Sequence, residues 1–125
     1  MPLLLDTQPL LLWLSDPEAL SPAAHAAVRD ESNLVYVSAV SVWEIAIKRS
    51  LGKLVAPDNL VQLLEENEFL ELPITAAHAL GVEQLPPVHR DPFDRLLASQ
   101  AAHEGLTLVT RDTELLKYPV PLLAA

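Results

Sequence analysis

The sequence predicts an α/β fold, with a parallel sheet between two layers of helices. Two observations carry this. Short apolar runs rich in Leu and Val alternate along the chain with helical segments. Two of those segments open on a capping residue followed by proline, Ser21-Pro22 and Asp91-Pro92, the form favoured at a helix start. Alternating strands and helices imply parallel strands joined by right-handed crossovers, which places helices on both faces of the sheet.

The elements follow in order. Leu3 to Leu5 is an unbroken apolar run, as a strand buried on both faces shows. Pro9 to Trp13 is helical, and Ser21 opens a helix reaching about Arg29. Leu34-Val-Tyr-Val37 is β-branched and aromatic, a second strand. A helix from about Ser41 to Leu51 stops at Gly52, and Asp58 is placed to cap another over Leu60 to Glu66. Phe69 to Ile74 is a third strand, weakened at its end by Pro73. Thr75 caps a helix to about Val82. Asp91-Pro92 starts one that ends near His103, with Gly105 as its terminal residue. Leu106 to Thr110 is a fourth strand, and Val120 to Leu123 is a candidate for a short fifth. With 125 residues, no repeat and no linker, the expectation is one domain over 1–125.

Composition narrows the function. Half of the residues are apolar and the mean hydropathy is +0.25, enough for a core and for some apolar surface left to a partner. Leu10-Leu-Leu-Trp13 suggests that this surface meets a second copy. The absence of cysteine excludes a disulfide framework, a thiolate zinc site and a thiol nucleophile. The N-terminus has no basic region, Asp6 interrupts its apolar start, and Leu10 to Leu14 is too short to span a bilayer. The expectation is a soluble cytoplasmic protein. A net charge of −9 argues against a broad phosphate-binding face. It permits a small site in which carboxylates hold a divalent cation and the cation meets phosphate.

Four acids fall where such a site would form. Asp6 follows the first strand and Asp112 lies two residues past the fourth, while Glu44 and Asp94 sit in first turns of predicted helices. In an open parallel sheet, strand ends and the starts of following helices share one edge, where ligands bind. Each acid also has a local explanation. Asp6 could cap a helix, and Ser41-Val-Trp-Glu44 has the form of a capping box. Glu44 could pair with Lys48, Asp94 suits a helix dipole, and Asp112 could make an Asx turn. Together they favour a shared cation. The neighbours of Glu44 make its helix apolar almost all round, and a carboxylate buried there costs several kcal/mol unless compensated. A cap bond returns only ~1 kcal/mol. Oxygen donors without a Cys or His cluster point to Mg²⁺, with Mn²⁺ as substitute. The basic residues Lys48, Arg49, Arg90, Arg95 and Arg111 lie within five positions of one of these acids. They are either charge balance or phosphate contacts, with Lys48, Arg95 and Arg111 the candidates for the latter. His25, His78 and His103 look like helix-surface or core-edge residues, and His89 sits in a Pro-rich loop, so none is assigned to catalysis.

The pieces Leu4-Leu-Asp6-Thr7, Ser38-Ala-Val-Ser-Val-Trp-Glu44-Ile-Ala-Ile-Lys48, His89-Arg-Asp-Pro-Phe-Asp94-Arg95 and Leu108-Val-Thr-Arg-Asp112 resemble a PIN domain. More closely, they resemble the VapC-type toxins of bacterial toxin–antitoxin pairs, over essentially the whole chain. The resemblance implies a three-layer α/β/α fold with five parallel strands, magnesium-dependent endoribonuclease activity, homodimerisation and inhibition by a cognate antitoxin. It carries the family's acids onto Asp6, Glu44, Asp94 and Asp112, and its supporting hydroxyls onto Thr110 and Ser41. Asp91 is read as a helix cap and ranks behind Asp94 as a ligand. The chemistry expected is in-line attack of a metal-activated water on an RNA phosphodiester.

Other classes fit less well. A haloacid-dehalogenase-like phosphatase needs a second Asp two positions after the first, and that position holds Gln8. A phospho-acceptor receiver domain needs paired acids after strand one and an acceptor after strand three, and the chain supplies neither cleanly. A PIN-like module kept only for protein binding would not need all four acids.

Overall fold

The computed structural model describes residues 1–87 and 91–125. Five strands, β1 (Pro2–Leu5), β2 (Leu34–Ser38), β3 (Leu70–Leu72), β4 (Thr107–Thr110) and β5 (Leu122–Ala124), form one sheet in the order β3-β2-β1-β4-β5. Every pairing is parallel, with Leu4 beside Tyr36 on one side and Leu108 on the other, and Leu108 beside Leu122. The first strand is thus the middle one. The chain moves outward from it to β2 and β3, then returns to its other side for β4 and β5. A crevice opens at the carboxyl ends of β1 and β4, where the order reverses.

The helices are α1 (Thr7–Ser15), α2 (Pro22–Arg29), α3 (Ala39–Ser50), α4 (Leu60–Glu66), α5 (Ala76–Gly81) and α6 (Pro92–Glu104). Side-chain alternation along β1 explains the layers. Leu3 and Leu5 face a cluster holding Leu10 of α1, Ala24 and Val28 of α2, Ile45 of α3 and Leu60 of α4. Leu4 faces the opposite cluster, with Leu97 and Ala101 of α6, Leu108, Leu115 and Tyr118. All three leucines of β1 are almost completely buried, each contributing roughly 1.5–3 kcal/mol. No helix among the described residues is long and apolar enough to cross a membrane.

Several boundaries differ from the expectation. Helix α1 begins at Thr7 rather than Pro9, because the Asp6 carboxylate accepts from the Thr7 amide and caps it at once. Helix α3 begins at Ala39, not Ser41. Its cap is Ser38, whose hydroxyl accepts from the Val40 amide, so the Ser41–Glu44 capping box does not form. Glu44 is consequently a full turn deeper in the helix. That helix is not apolar all round, since Trp43 and Ala46 are exposed while Ser41, Glu44 and Ile45 are buried. Asp58 does not cap α4. Asn59 holds that position without a side-chain bond, and Asp58 lies exposed 3.9 Å from Arg49. Strand β3 ends at Leu72 because Pro73 has no amide to donate, and α5 gives way to a 3-10 turn at Val82. Leu10 is fully buried, and Leu11, Leu12 and Trp13 are partly buried against the same cluster.

Candidate active site

The crevice at the strand-order reversal is a cleft of about 380 Å³ lined by Asp6, Thr7, Gln8, Leu11, Glu44, Lys48, Leu54, Asp91, Asp94 and Asp112. The four expected acids therefore meet in one place. Asp6 arrives from the end of β1 and Asp112 from the turn after β4. Glu44 comes from the second turn of α3, and Asp94 from the first turn of α6, directly above the cap. Asp6, Glu44 and Asp94 are all buried, and Asp112 is half-buried.

Hydroxyls hold two of the acids. Thr110 donates to Asp6 Oδ2 at 2.7 Å, and the Asp6 Oδ1 accepts from the Thr7 amide at 2.8 Å. Thr7 then donates its own hydroxyl to Glu44 Oε1 at 2.6 Å. Thr110 also accepts from the Asp112 amide at 3.0 Å, so one hydroxyl ties the loop after β4 to the end of β1. The other Glu44 oxygen lies 2.5 Å from Lys48 Nζ, one helical turn on. Asp112 does make the expected Asx turn, accepting from the Glu114 amide at 2.8 Å. Asp91 caps α6 through the Phe93 and Asp94 amides, at 2.9 and 3.4 Å, while its side chain still lines the cleft. The local roles of Asp6, Asp91 and Asp112 as caps and turn residues are therefore realised within the same cleft that brings the acids together.

The electrostatics are those of crowded negative charge. Burial, above all, holds the Asp6 carboxyl above its ordinary value; its bonds to Thr110 and Thr7 oppose this, and Glu44 and Asp112 add to it. The Lys48 ammonium is pushed upward chiefly by its bond to Glu44, against the pull of desolvation, with Asp91 and Asp94 adding to the rise. A divalent cation answers this arrangement. The donors are all oxygens, three of the acids are withdrawn from water, and burial together with the neighbouring acids disfavours the charge on Asp6. Ser41, one turn before Glu44 on the same helix face, is buried with a hydroxyl that has no partner among the described residues, a spare polar group behind the site. Asp6, Glu44 and Asp94 fit as ligands, with Asp112 at the margin.

Two cations expected to meet phosphate are used otherwise. The Arg111 guanidinium donates to the carbonyls of Ala19, at 2.6 Å, and Ala125, at 2.9 Å, tying β5 to the turn after α1. Arg95 donates to the carbonyls of Pro86 and Val82 and to the Tyr118 hydroxyl, bracing the segment before α6. Only Lys48 of the three lines the cleft. Arg90 and His89 lie outside the described residues. Sequence reasoning missed Thr7, although its position directly after Asp6 was the available signal.

The described histidines, His25, His78 and His103, stay outside the cleft. His78 is not at the surface but almost wholly buried, and its Nε2 lies 2.8 Å from Glu104 beside the His103 ring. The proximity of His78, His103 and Glu104 would suit a metal ion, but the hydrogen bonds do not. His78 Nδ1 accepts from the Thr75 amide at 3.1 Å, which leaves the ring proton on Nε2, where a ligand would need its lone pair. His78 instead belongs to a buried chain that runs through Gln100 to Ser38, the cap of α3.

A family model described as the PIN domain matches residues 3–121. Ribonuclease VapC22 of Mycobacterium tuberculosis is 32% identical over 123 residues, covering 94% of this chain and 92% of that protein. The VapBC2 structure from Rickettsia felis, bound to a DNA fragment from its promoter, has a TM-score of 0.73 at 17% identity, covering 99% of this chain and 98% of that one. The DNA-bound VapBC structure from Salmonella typhimurium has a TM-score of 0.66 at 17% identity, with the same coverage. At that identity these two likenesses show the fold alone.

Proposed function

The chain belongs to the PIN domain family, and on that footing we propose that it is a magnesium-dependent endoribonuclease, the toxin of a toxin–antitoxin pair. The observation that carries this reading is the convergence of Asp6, Glu44, Asp94 and Asp112 on one cleft at the sheet's carboxyl edge. The relative named as a ribonuclease, similar along almost the whole chain, gives the substrate class.

Asp6, Glu44 and Asp94 would hold Mg²⁺ or Mn²⁺, with Asp112 placed to orient a water at the margin. When bound, such an ion supplies the charge that lowers a water's pKa and offsets charge developing on phosphoryl oxygens. The protein's own part is positioning. Thr110 and Thr7 fix Asp6 and Glu44 through short hydroxyl bonds, so neither carboxylate must find its place during the reaction. Lys48 neutralises part of Glu44 and stands where it can meet a phosphate oxygen. The product is a cut phosphodiester, from in-line attack by water.

The same reading includes two protein partners, an antitoxin and a second copy of the chain. Large apolar side chains left uncovered, Leu51 at 62% exposure, Val55 at 96% and Val61 at 63%, give both something to cover. The basic residues being few, a basic antitoxin segment suits the acidic surface. Cytoplasmic action follows from this reading.

The test is cleavage of a generic RNA by purified protein. Activity with Mg²⁺, its loss on chelation and its return on adding the ion back support the nuclease. Cleavage that persists in chelator, or none with Mg²⁺ or Mn²⁺, removes it. Sedimentation at micromolar concentration tests the second copy, which a monomer excludes.

A further inference from the structure

Directly before two of the cleft's acids stand two aromatic residues, Trp43 before Glu44 and Phe93 before Asp94. Their rings meet edge to face, with centroids 5.1 Å apart and planes at 70°, bridging α3 and α6 at the turns that carry those carboxylates. Phe93 packs against the core cluster of its sheet face and is half-buried. Trp43 is 55% exposed. A surface Trp has few partners of its own, and this one is held by a ring that is itself anchored.

Resting on the ribonuclease reading, we propose that Trp43, braced by Phe93, is a stacking platform for a base of the RNA whose phosphate enters the carboxylate cleft. The charge balance favours a contact of this kind. The net charge is −9, Arg95 and Arg111 are spent on backbone carbonyls, and Lys48 is shared with Glu44. Among the described residues, the cations beside the cleft therefore offer few direct phosphate contacts beyond the cleft's ion, and the acidic surface around it adds none. Stacking avoids the problem, because every base offers a neutral π-face and a Trp ring grips it without charge. The position also fits. Successive residues on a helix point about 100° apart, so Glu44 turns into the cleft while Trp43 stands at its flank, where the next base of a bound strand would lie.

The experiment compares steady-state RNA cleavage by wild type, Trp43→Ala and Trp43→Phe in Mg²⁺. Loss of one stacked base should raise KM roughly 5- to 150-fold in Trp43→Ala with kcat changed far less, and Trp43→Phe should recover most of it. A second readout does not depend on turnover. In a Trp13→Phe background the remaining fluorescence is that of Trp43, and a phosphorothioate RNA decamer, added with Ca²⁺ in place of Mg²⁺, should quench it. Equal KM in the three proteins, or fluorescence indifferent to the decamer, overturns the platform while leaving an active nuclease intact. Wild type that cleaves no RNA overturns the parent reading and the platform with it. Sedimentation in which Trp43→Ala dissociates a dimer, with KM unmoved, assigns the ring to a second copy instead.

Discussion

The Thr7 hydroxyl donates to Glu44 Oε1 at 2.6 Å, so the residue after one acid holds the next one in place. A hydrogen bond to a charged group contributes about 1.5–3 kcal/mol. Thr7→Val keeps the shape and removes the donor. RNA cleavage at saturating Mg²⁺ should fall by roughly 10-fold or more while folding is nearly unchanged, and Thr7→Ser should restore it. A Val variant cutting at the wild-type rate would show that Glu44 needs no such support.

Four acids sharing one cleft should be relieved by a cation, so Mg²⁺ or Mn²⁺ should raise Tm. The rise should be much smaller in Asp6→Asn and in Glu44→Gln. Thermal melts across a metal titration decide this. The same stabilisation in all three proteins would mean that the ion binds elsewhere.

Without metal, Asp6 carries its own pH signature. Burial chiefly raises its carboxyl above the ordinary value of 3.8, so the folded state binds that proton more tightly than the unfolded one. The associated stability is fully present below 3.8 and is lost as pH rises through the folded value. Asp6→Asn, which keeps a capping side chain, should therefore melt above wild type in chelator at about pH 7, with the gap closing towards about pH 4. Parallel melting curves at both pH values would show that burial of this charge costs the fold nothing.

Asp91 and Asp94 should separate cleanly. Asp91 accepts from two amides at the start of α6, and Asn caps a helix about as well, so Asp91→Asn should leave cleavage largely intact. Asp94→Asn removes a buried charge from the cleft and should cut cleavage by orders of magnitude with little loss of folding. Measured on one RNA at saturating Mg²⁺, the opposite pattern would transfer the ligand role to Asp91.

What could be read beforehand follows from how local each signal is. Strand β1 is visible because three consecutive leucines can only be buried on two faces, and α6 because Asp91-Pro92 and Gly105 mark both ends. The start of α3 was misplaced because Ser38 and Ser41 are both plausible caps. The choice is made by tertiary contact, since Ser38 also donates to Gln100, 62 residues away. The acids were legible as strand-end and helix-start residues. The duties of Arg95 and Arg111 were not, because the partners given for them are mostly backbone carbonyls, which no side-chain pattern marks.

The middle strand is made first, and its neighbour β4 more than a hundred residues later, the Thr110 hydroxyl reaching Asp6 across 104 positions. This arrangement sets a clock on the ribosome. While the chain is being synthesised, Asp6 and Glu44 emerge early but have neither Asp94 nor Asp112 to complete them. The cleft can close only when β4 has left the exit tunnel and slotted in beside β1. On the ribonuclease reading, a chain truncated before β4 should therefore lack cleavage activity, because the cleft that needs Asp6 beside Thr110 and Asp112 cannot form.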